Sequence, residues 1–296
     1  MFKNTSQYLF AGAILFVASI VSKPSYAESS VWQVSKGGDH IYIGGTVHIL
    51  PPSEFPLPEE FNQAYQKSDA IFLETKLPDQ NDSAFQMKMM QQVSYPNGKT
   101  IADAISTSTE KQLSTYLSGL GMQLPMVEKF KPGFLMTMFA MLEAQRAQLS
   151  GEGVDIFYSK QAKNDKKPIG YLESVEFQLD MIARLGEGDE DRFIKSNLKQ
   201  MKGFKKQFSG LLSAWRAGDE EQLYQLGVKP MSDDPKTIKT LLTDRNQNWI
   251  PKIEAMFSRN GKNSETEFVL VGVAHLVGDK SVLSLLKAKG YKVEKL

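Results

Sequence analysis

The same local pattern stands near both ends of the chain: IYIGGTVH at residues 41–48 and FVLVGVAH at residues 268–275. Each is a β-branched apolar run closing on Gly-x-x-His, in a sequence with only three histidines. Each copy is followed by a helical pattern and a second short strand, EEFNQAYQKSD then AIFLE in the first, SVLSLLKAKG then YKVEKL in the second. Strands that are apolar on both sides need parallel neighbours and helices over both faces. The expected fold class is therefore α/β, with two related β-α-β units forming one mixed sheet and a largely helical insertion between them, from about residue 80 to about residue 260.

The remaining patterns fit that frame. VWQVS and HIYIGGT flank the turn KGGD and read as a hairpin, with His40 an exposed turn residue of no chemical consequence. DSAFQMKMMQQV, STEKQLSTYLSGLG and FLMTMFAMLEAQRAQL carry apolar residues at helical spacing, and the Met-rich stretch of the third is core or the lining of a peptide groove. GEGVDIFYSKQAKND reads as a turn and a helix, and KKPIGYLES as a strand ending near Glu173. Helices are expected at about 177–183, 189–208, 219–224 and 235–257, with a loop at GKNSETE. At the start, Lys3, the run YLFAGAILFVASIV and the small-residue site Ser25-Tyr26-Ala27 make a secretory signal peptide, cut after Ala27. The expectation is a periplasmic or secreted domain spanning residues 28–296, with no stable membrane anchor once cut. With 35 basic against 34 acidic residues, no global field favours nucleic acid, and a chain without cysteine has no thiolate ligand.

Four polar residues stand at or just past the carboxyl ends of expected strands: His48, Glu74, Glu173 and His275. Ligand sites of open α/β sheets form along that edge, so four parallel neighbouring strands would bring these side chains together. Two imidazoles and one or two carboxylates suit a divalent transition ion such as Mn, Co, Zn or Fe. Gly45 and Gly272 would let the backbone pass close to an ion or substrate. Glu74 would act as general base on a bound water or as a ligand, although both glutamates can equally form ion pairs or cap helices. No His-Glu-x-x-His, Gly-x-Ser-x-Gly or P-loop occurs, and the Gly-rich GEGVD lacks the third glycine of a dinucleotide fingerprint.

GGTVH, the FLE one helix later, GVD, GYLES with Gln178, RNQNW and the terminal VGVAHLVGDKSVLSLLKAKGYKV together resemble the TraB/GumN family, which includes the Tiki proteins. The resemblance runs from about Trp32 to the end of the chain. It implies an active site built on the two Gly-x-x-His motifs and a glutamate, here His48, His275 and Glu74, and a metal-dependent protease activity. It also implies a fold related to the ChaN and erythromycin-esterase type. Glu173, Arg245 and Asn246 fall in motif-like segments; Arg245 would bind a substrate carboxylate, stabilise developing charge, or serve as a structural salt bridge. The expectation is a metal-dependent hydrolase of peptides or another small substrate. The alternative is a protein of the same fold that binds metal, haem or a peptide without turnover.

Overall fold

The two Gly-x-x-His segments end neighbouring parallel strands. The computed structural model describes residues 29–77, 81–257 and 265–296; the expected signal peptide and most of the GKNSETE loop lie outside them. β1 (Val31–Lys36) and β2 (Asp39–Thr46) form an antiparallel hairpin that turns at Gly37 and Gly38, both at positive φ. α1 (Glu59–Lys67) leads to β3 (Ala70–Leu73), and β4 (Ile169–Tyr171), β5 (Glu267–Gly272) and β6 (Lys292–Lys295) complete a sheet of order β4-β3-β5-β2-β1-β6. The first four in that order are mutually parallel, while β1 is antiparallel to both of its neighbours.

The helices of the insertion are α2 (Ser83–Val93), α3 (Thr107–Gly119), α4 (Pro132–Arg146), α5 (Val154–Asn164), α6 (Val175–Arg184), α7 (Glu190–Met201), α8 (Phe204–Ala217), α9 (Glu220–Leu223), α10 (Pro235–Ile238) and α11 (Asp244–Phe257). α12 (Val282–Ala288) precedes β6. The two β-α-β units are interlocked rather than side by side: β5 lies between β2 and β3 of the first unit, and β2 and β1 lie between β5 and β6 of the second. This interleaving makes β2 and β5 neighbours, with Thr46 opposite Gly272.

Strand alternation divides the apolar residues between two cores. Tyr42, Phe268 and Leu270 face Phe61 of α1, Tyr158 of α5 and Trp215 of α8. Ile41, Ile43, Val269 and Val271 face Trp249 and Ile253 of α11 and Leu283 of α12. Each such buried side chain stabilises the fold by roughly 1.5–3 kcal/mol before entropy is counted. Trp215 also ties α8 to the site strand, because its Nε1–H donates to the Gly45 carbonyl at 2.7 Å. A third core, from Leu117, Leu135, Phe139 and Ile194, unites α3, α4 and α7. Most of the Met-rich α4 thus belongs to core, while Met141 stays 59% exposed.

Of the two longest helices expected from the pattern, one is broken and the other runs through without a break. The segment 189–208 divides at Gly203, and α8 runs on to Ala217, where Gly218 at φ +62° ends it in the left-handed conformation that favours glycine. The segment 235–257 contains a π-helical turn, Lys239–Thr243, between α10 and α11. His40 lies within β2, edge-on to Tyr42, at the strand end opposite His48.

Candidate functional site

The carboxyl edge of the sheet carries Glu74 one residue past β3, Glu173 two past β4, His48 two past β2, and His275 in the 3-10 turn Val273–His275 after β5. Ladder bonding continues beyond the β3 and β4 ends: Leu172 N–H donates to Leu73 O at 3.0 Å and Glu173 N–H to Glu74 O at 2.8 Å. That continuation sets the two carboxylates side by side. α11 brings Arg245 between them from the other side.

Arg245 is the hub. Its Nη2 donates to Glu74 Oε2 and Glu173 Oε1, each at 2.5 Å, its Nε to Glu173 Oε2 at 3.2 Å, and its Nη1 to the Leu241 carbonyl and His275 Nε2, each at 3.0 Å. Trp249 lies under the guanidinium, with Cζ 4.7 Å from the ring centre, and its Nε1–H donates to Glu173 Oε2 at 3.0 Å. Gln178 Nε2 bridges Glu173 Oε1 and Glu74 Oε2 at 2.8 and 3.2 Å. The Arg245 and Glu74 side chains are only 6% and 9% exposed, so each charge depends on its partner. Burial alone would raise Glu74, but the Arg245 charge and the Gly272 N–H at 2.7 Å outweigh it and hold the carboxyl down at about 2.

The hydrogen bonds fix the protonation of His275. Asn246 Nδ2 donates to the Lys280 carbonyl at 2.8 Å, so its Oδ1 accepts from His275 Nδ1–H at 2.5 Å, and Nε2 accepts from Arg245. Burial pushes this imidazole down to about 3, and it is neutral.

His48 is held differently. Its Nδ1 lies 3.1 Å from both oxygens of Asp155, the second residue of α5. The Gly151–Asp155 segment crosses the His48 loop so closely that a Cβ on Gly153 would stand 2.4 Å from the His48 carbonyl oxygen, and Val154 N–H donates to Val47 O at 3.1 Å. The Asp155 charge raises His48 to about 9. Burial would lower an imidazole, so the rise is the carboxylate's doing, on a ring that is itself 64% exposed.

These groups meet over Gly272. A Cβ there would lie 3.2 Å from Glu74 Oε1, 3.6 Å from His275 Cδ2 and 3.7 Å from His48 Nε2. Glycine leaves that space open, bounded by an ionised carboxylate and an imidazolium N–H. At Gly45 the neighbour of a Cβ would be the Val273 side chain at 2.8 Å, so the close approach expected there is one of packing and not of ligand binding.

The arrangement does not fit a resident metal ion. Glu173 is committed to Arg245, Trp249 and Gln178, and the remaining lone pair of His275 faces the guanidinium. Only Glu74 Oε1 and His48 Nε2 face the gap, short of the three or four donors a zinc-type site uses. Among the described residues no group of three or more His, Asp or Glu side chains is placed to hold a metal ion. Sequence reasoning expected metal donors here; Asp155 had no role in it, and Gln178 and Trp249 entered only as parts of quoted motifs. The signal for Asp155 was the pair of glycines before it, which mark a close crossing of backbones. No helix among the described residues is long and apolar enough to cross a membrane.

The profile of the TraB/PrgY/gumN family matches residues 30–295. The chain is 20% identical to Metalloprotease TIKI1 of Danio rerio, over 90% of this chain and 63% of that protein. It is 22% identical to Metalloprotease TIKI2 of the same species, over 86% of this chain and 58% of that protein. It is 23% identical to Uncharacterized protein YbaP of Escherichia coli (strain K12), over 85% and 89% of the two chains. The chain thus spans about three fifths of the zebrafish proteins it matches. No solved structure matches.

Proposed function

The chain belongs to the TraB/PrgY/gumN family, and from that membership and the groups around Gly272 we propose that it is a hydrolase of peptide bonds, exported from the cytoplasm. The observation that carries the reading is the convergence of Glu74 Oε1, His48 Nε2 and the His275 ring on the open face of Gly272. Two relatives bear the name metalloprotease, which favours an amide bond as the target.

A substrate carbonyl in the gap would accept a hydrogen bond from His48 Nε2–H, whose positive charge opposes the negative charge that attack builds on that oxygen. Glu74 Oε1 would orient the attacking water, receive its proton as the C–O bond forms, and return that proton to the amine nitrogen as the C–N bond breaks. A carboxylate held at about 2 is a weak base in the resting site. Its contribution is therefore one of position first, and proton transfer to it needs the charge that develops on the carbonyl oxygen. Arg245 and Asn246 hold Glu74 and His275 in place and keep His275 in one tautomer. The metal dependence implied by the resemblance has no vacant donor set in this arrangement, and no step above uses an ion.

The test is cleavage of a peptide library read by mass spectrometry, with wild type, Glu74→Gln and His48→Ala compared at equal folding. Each variant is expected to lose about 100-fold or more in kcat/KM. Undiminished cleavage by both would refute the assignment. Parallel reactions with chelator, and with Mn, Co, Zn or Fe added, decide metal dependence. Retained peptide binding without any turnover would make the protein a binding module.

A further inference from the structure

Beside the Arg245–Glu173 pair a cleft of about 1530 Å³ opens at the Tyr171 end of β4, bounded by α5, by α2 and by the start of α6. Small-molecule pockets are roughly 300–1,000 Å³, so this volume suits something longer. We propose that this cleft binds an extended peptide by adding it as a strand to β4, with acidic side chains of the peptide on Lys76 and Lys163 and apolar ones against α2. The inference rests on the peptide-hydrolase reading and supplies the part of the substrate away from the bond that is cut.

The backbone supports strand addition. β4 closes the sheet and pairs only with β3 among the described residues. Ile71 N–H donates to Pro168 O and Leu172 N–H to Leu73 O, so by strand alternation the N–H and C=O of Ile169 and Tyr171 face away from β3. An exposed edge of this kind is a template for another strand, and alternate side chains of the added strand give specificity.

The side chains give the occupant its chemistry. The carboxylates of the cleft are committed: Asp82 accepts from Phe85 N–H at the start of α2, Glu176 pairs with Lys88 at 3.7 Å, and Glu173 holds Arg245. Lys160 pairs with Glu152, and Lys252 donates to the Leu172 carbonyl. Lys76 and Lys163 line the cleft, are exposed, and have no such partner among the described residues. The cleft therefore presents two uncommitted cations beside Phe85, Met89, the 59% exposed Met141 and the 37% exposed Tyr171. Methionine surfaces adapt to varied apolar side chains, which suits a binder of many sequences.

The cleft also adjoins the reacting centre, because Glu173 lines it while holding the arginine that holds Glu74. A strand added outside β4 lies three strand spacings, roughly 14 Å, from β5 and the open face of Gly272, which about four extended residues cross. The residues read by the cleft thus flank the bond that is cut by about four positions.

The experiment is fluorescence anisotropy of a labelled peptide of about twelve alternating acidic and apolar residues, on the full chain carrying Glu74→Gln so that the probe stays intact. Binding is expected to weaken roughly tenfold or more when lysines replace the acidic residues of the probe, and again in the Lys76→Glu/Lys163→Glu variant. N-methylation of the probe, moved one residue at a time, is expected to weaken binding at every second position across the bound stretch. A groove that reads only charge and greasiness gives no such alternation. Absence of binding, or binding indifferent to the lysines and to N-methylation at every position, overturns the proposal. Cleavage by otherwise wild-type protein separates this inference from the one beneath it. If the probe binds as expected and no library peptide is cut, the hydrolase reading falls and the docking site stands. If Glu74-dependent cleavage proceeds with kcat/KM unchanged in the lysine variant, the docking site falls and the hydrolase stands.

Discussion

Replacing Arg245 by Met keeps most of the stem against Trp249 and removes the charge that Glu74 and Glu173 share. Glu74 is held at about 2 against an ordinary value of 4.5. At 1.36 kcal/mol per unit, that depression corresponds to about 3 kcal/mol of stability at neutral pH. Breaking one side of a buried ion pair costs about 3–5 kcal/mol elsewhere, so the two routes agree. A group with a depressed folded pKa stabilises fully above its unfolded value and loses that contribution as pH falls through the folded one. The wild-type contribution of Glu74 therefore fades between about 4.5 and about 2. In Arg245→Met the His48 charge and the Gly272 N–H remain, but burial is opposed less strongly, so the carboxyl rises and the variant is penalised increasingly as pH rises. The difference between the two proteins should be about 3 kcal/mol at neutral pH and should shrink below about pH 4. Urea unfolding at several pH values, followed by the fluorescence of the three buried tryptophans, measures it. A neutral-pH cost below about 1 kcal/mol, or a cost that persists unchanged in acid, would refute the view that Arg245 keeps Glu74 ionised.

Gly272→Ala places a methyl 3.2 Å from Glu74 Oε1 and is expected to cut kcat/KM at least about tenfold on any confirmed peptide with little change in the unfolding midpoint. Asp155→Asn should lower the His48 titration midpoint, read by NMR in a chain with three histidines, from about 9 toward about 6.5, the ordinary histidine value. Gly153→Ala drives a Cβ to 2.4 Å from the His48 carbonyl oxygen, where backbone must move. It should destabilise by roughly 1–3 kcal/mol, measured by thermal unfolding, and lower the activity with it.

The parallel core of the sheet was legible because β2 and β5 are buried on both faces and read as continuous apolar runs, each closed by the same Gly-x-x-His. The hairpin was legible from Gly37 and Gly38, whose positive φ the turn requires. The interleaving was not, since nothing local in IYIGG or FVLVG says that one will be inserted beside the other. The division at Gly203 was hidden for a related reason: apolar periodicity runs through a single glycine, and only the separate docking of α7 on the third core and α8 on the first decides where the chain turns. Within the site, the four strand-end residues were visible from position alone. Arg245 was visible too, with a structural salt bridge among its expected roles, but its pairing with both glutamates and the tie of Asp155 to His48 were not, because both reach the site from helices whose own patterns specify only helix. A sequence that shows two histidines and two carboxylates invites a cation between them; here the cation is a side chain supplied by α11.

That substitution gives the site two halves with different physics. Glu74 Oε2, Glu173 and His275 are buried and bonded through Arg245, leaving Glu74 Oε1 to face the gap, and geometry there is inseparable from stability. His48 is exposed and tied through one carboxylate, so its position depends on Asp155 and on the backbone crossing at Gly153. Perturbations on the buried half should therefore lower stability and activity together, as for Arg245→Met. His48→Ala should lower activity at a smaller stability cost than Arg245→Met, because the imidazole is exposed to solvent, although its partner Asp155 is only 14% exposed. On the peptide-hydrolase reading, substrate would reach the open face of Gly272 across the exposed His48 side, since the Arg245 side is closed by its own bonding.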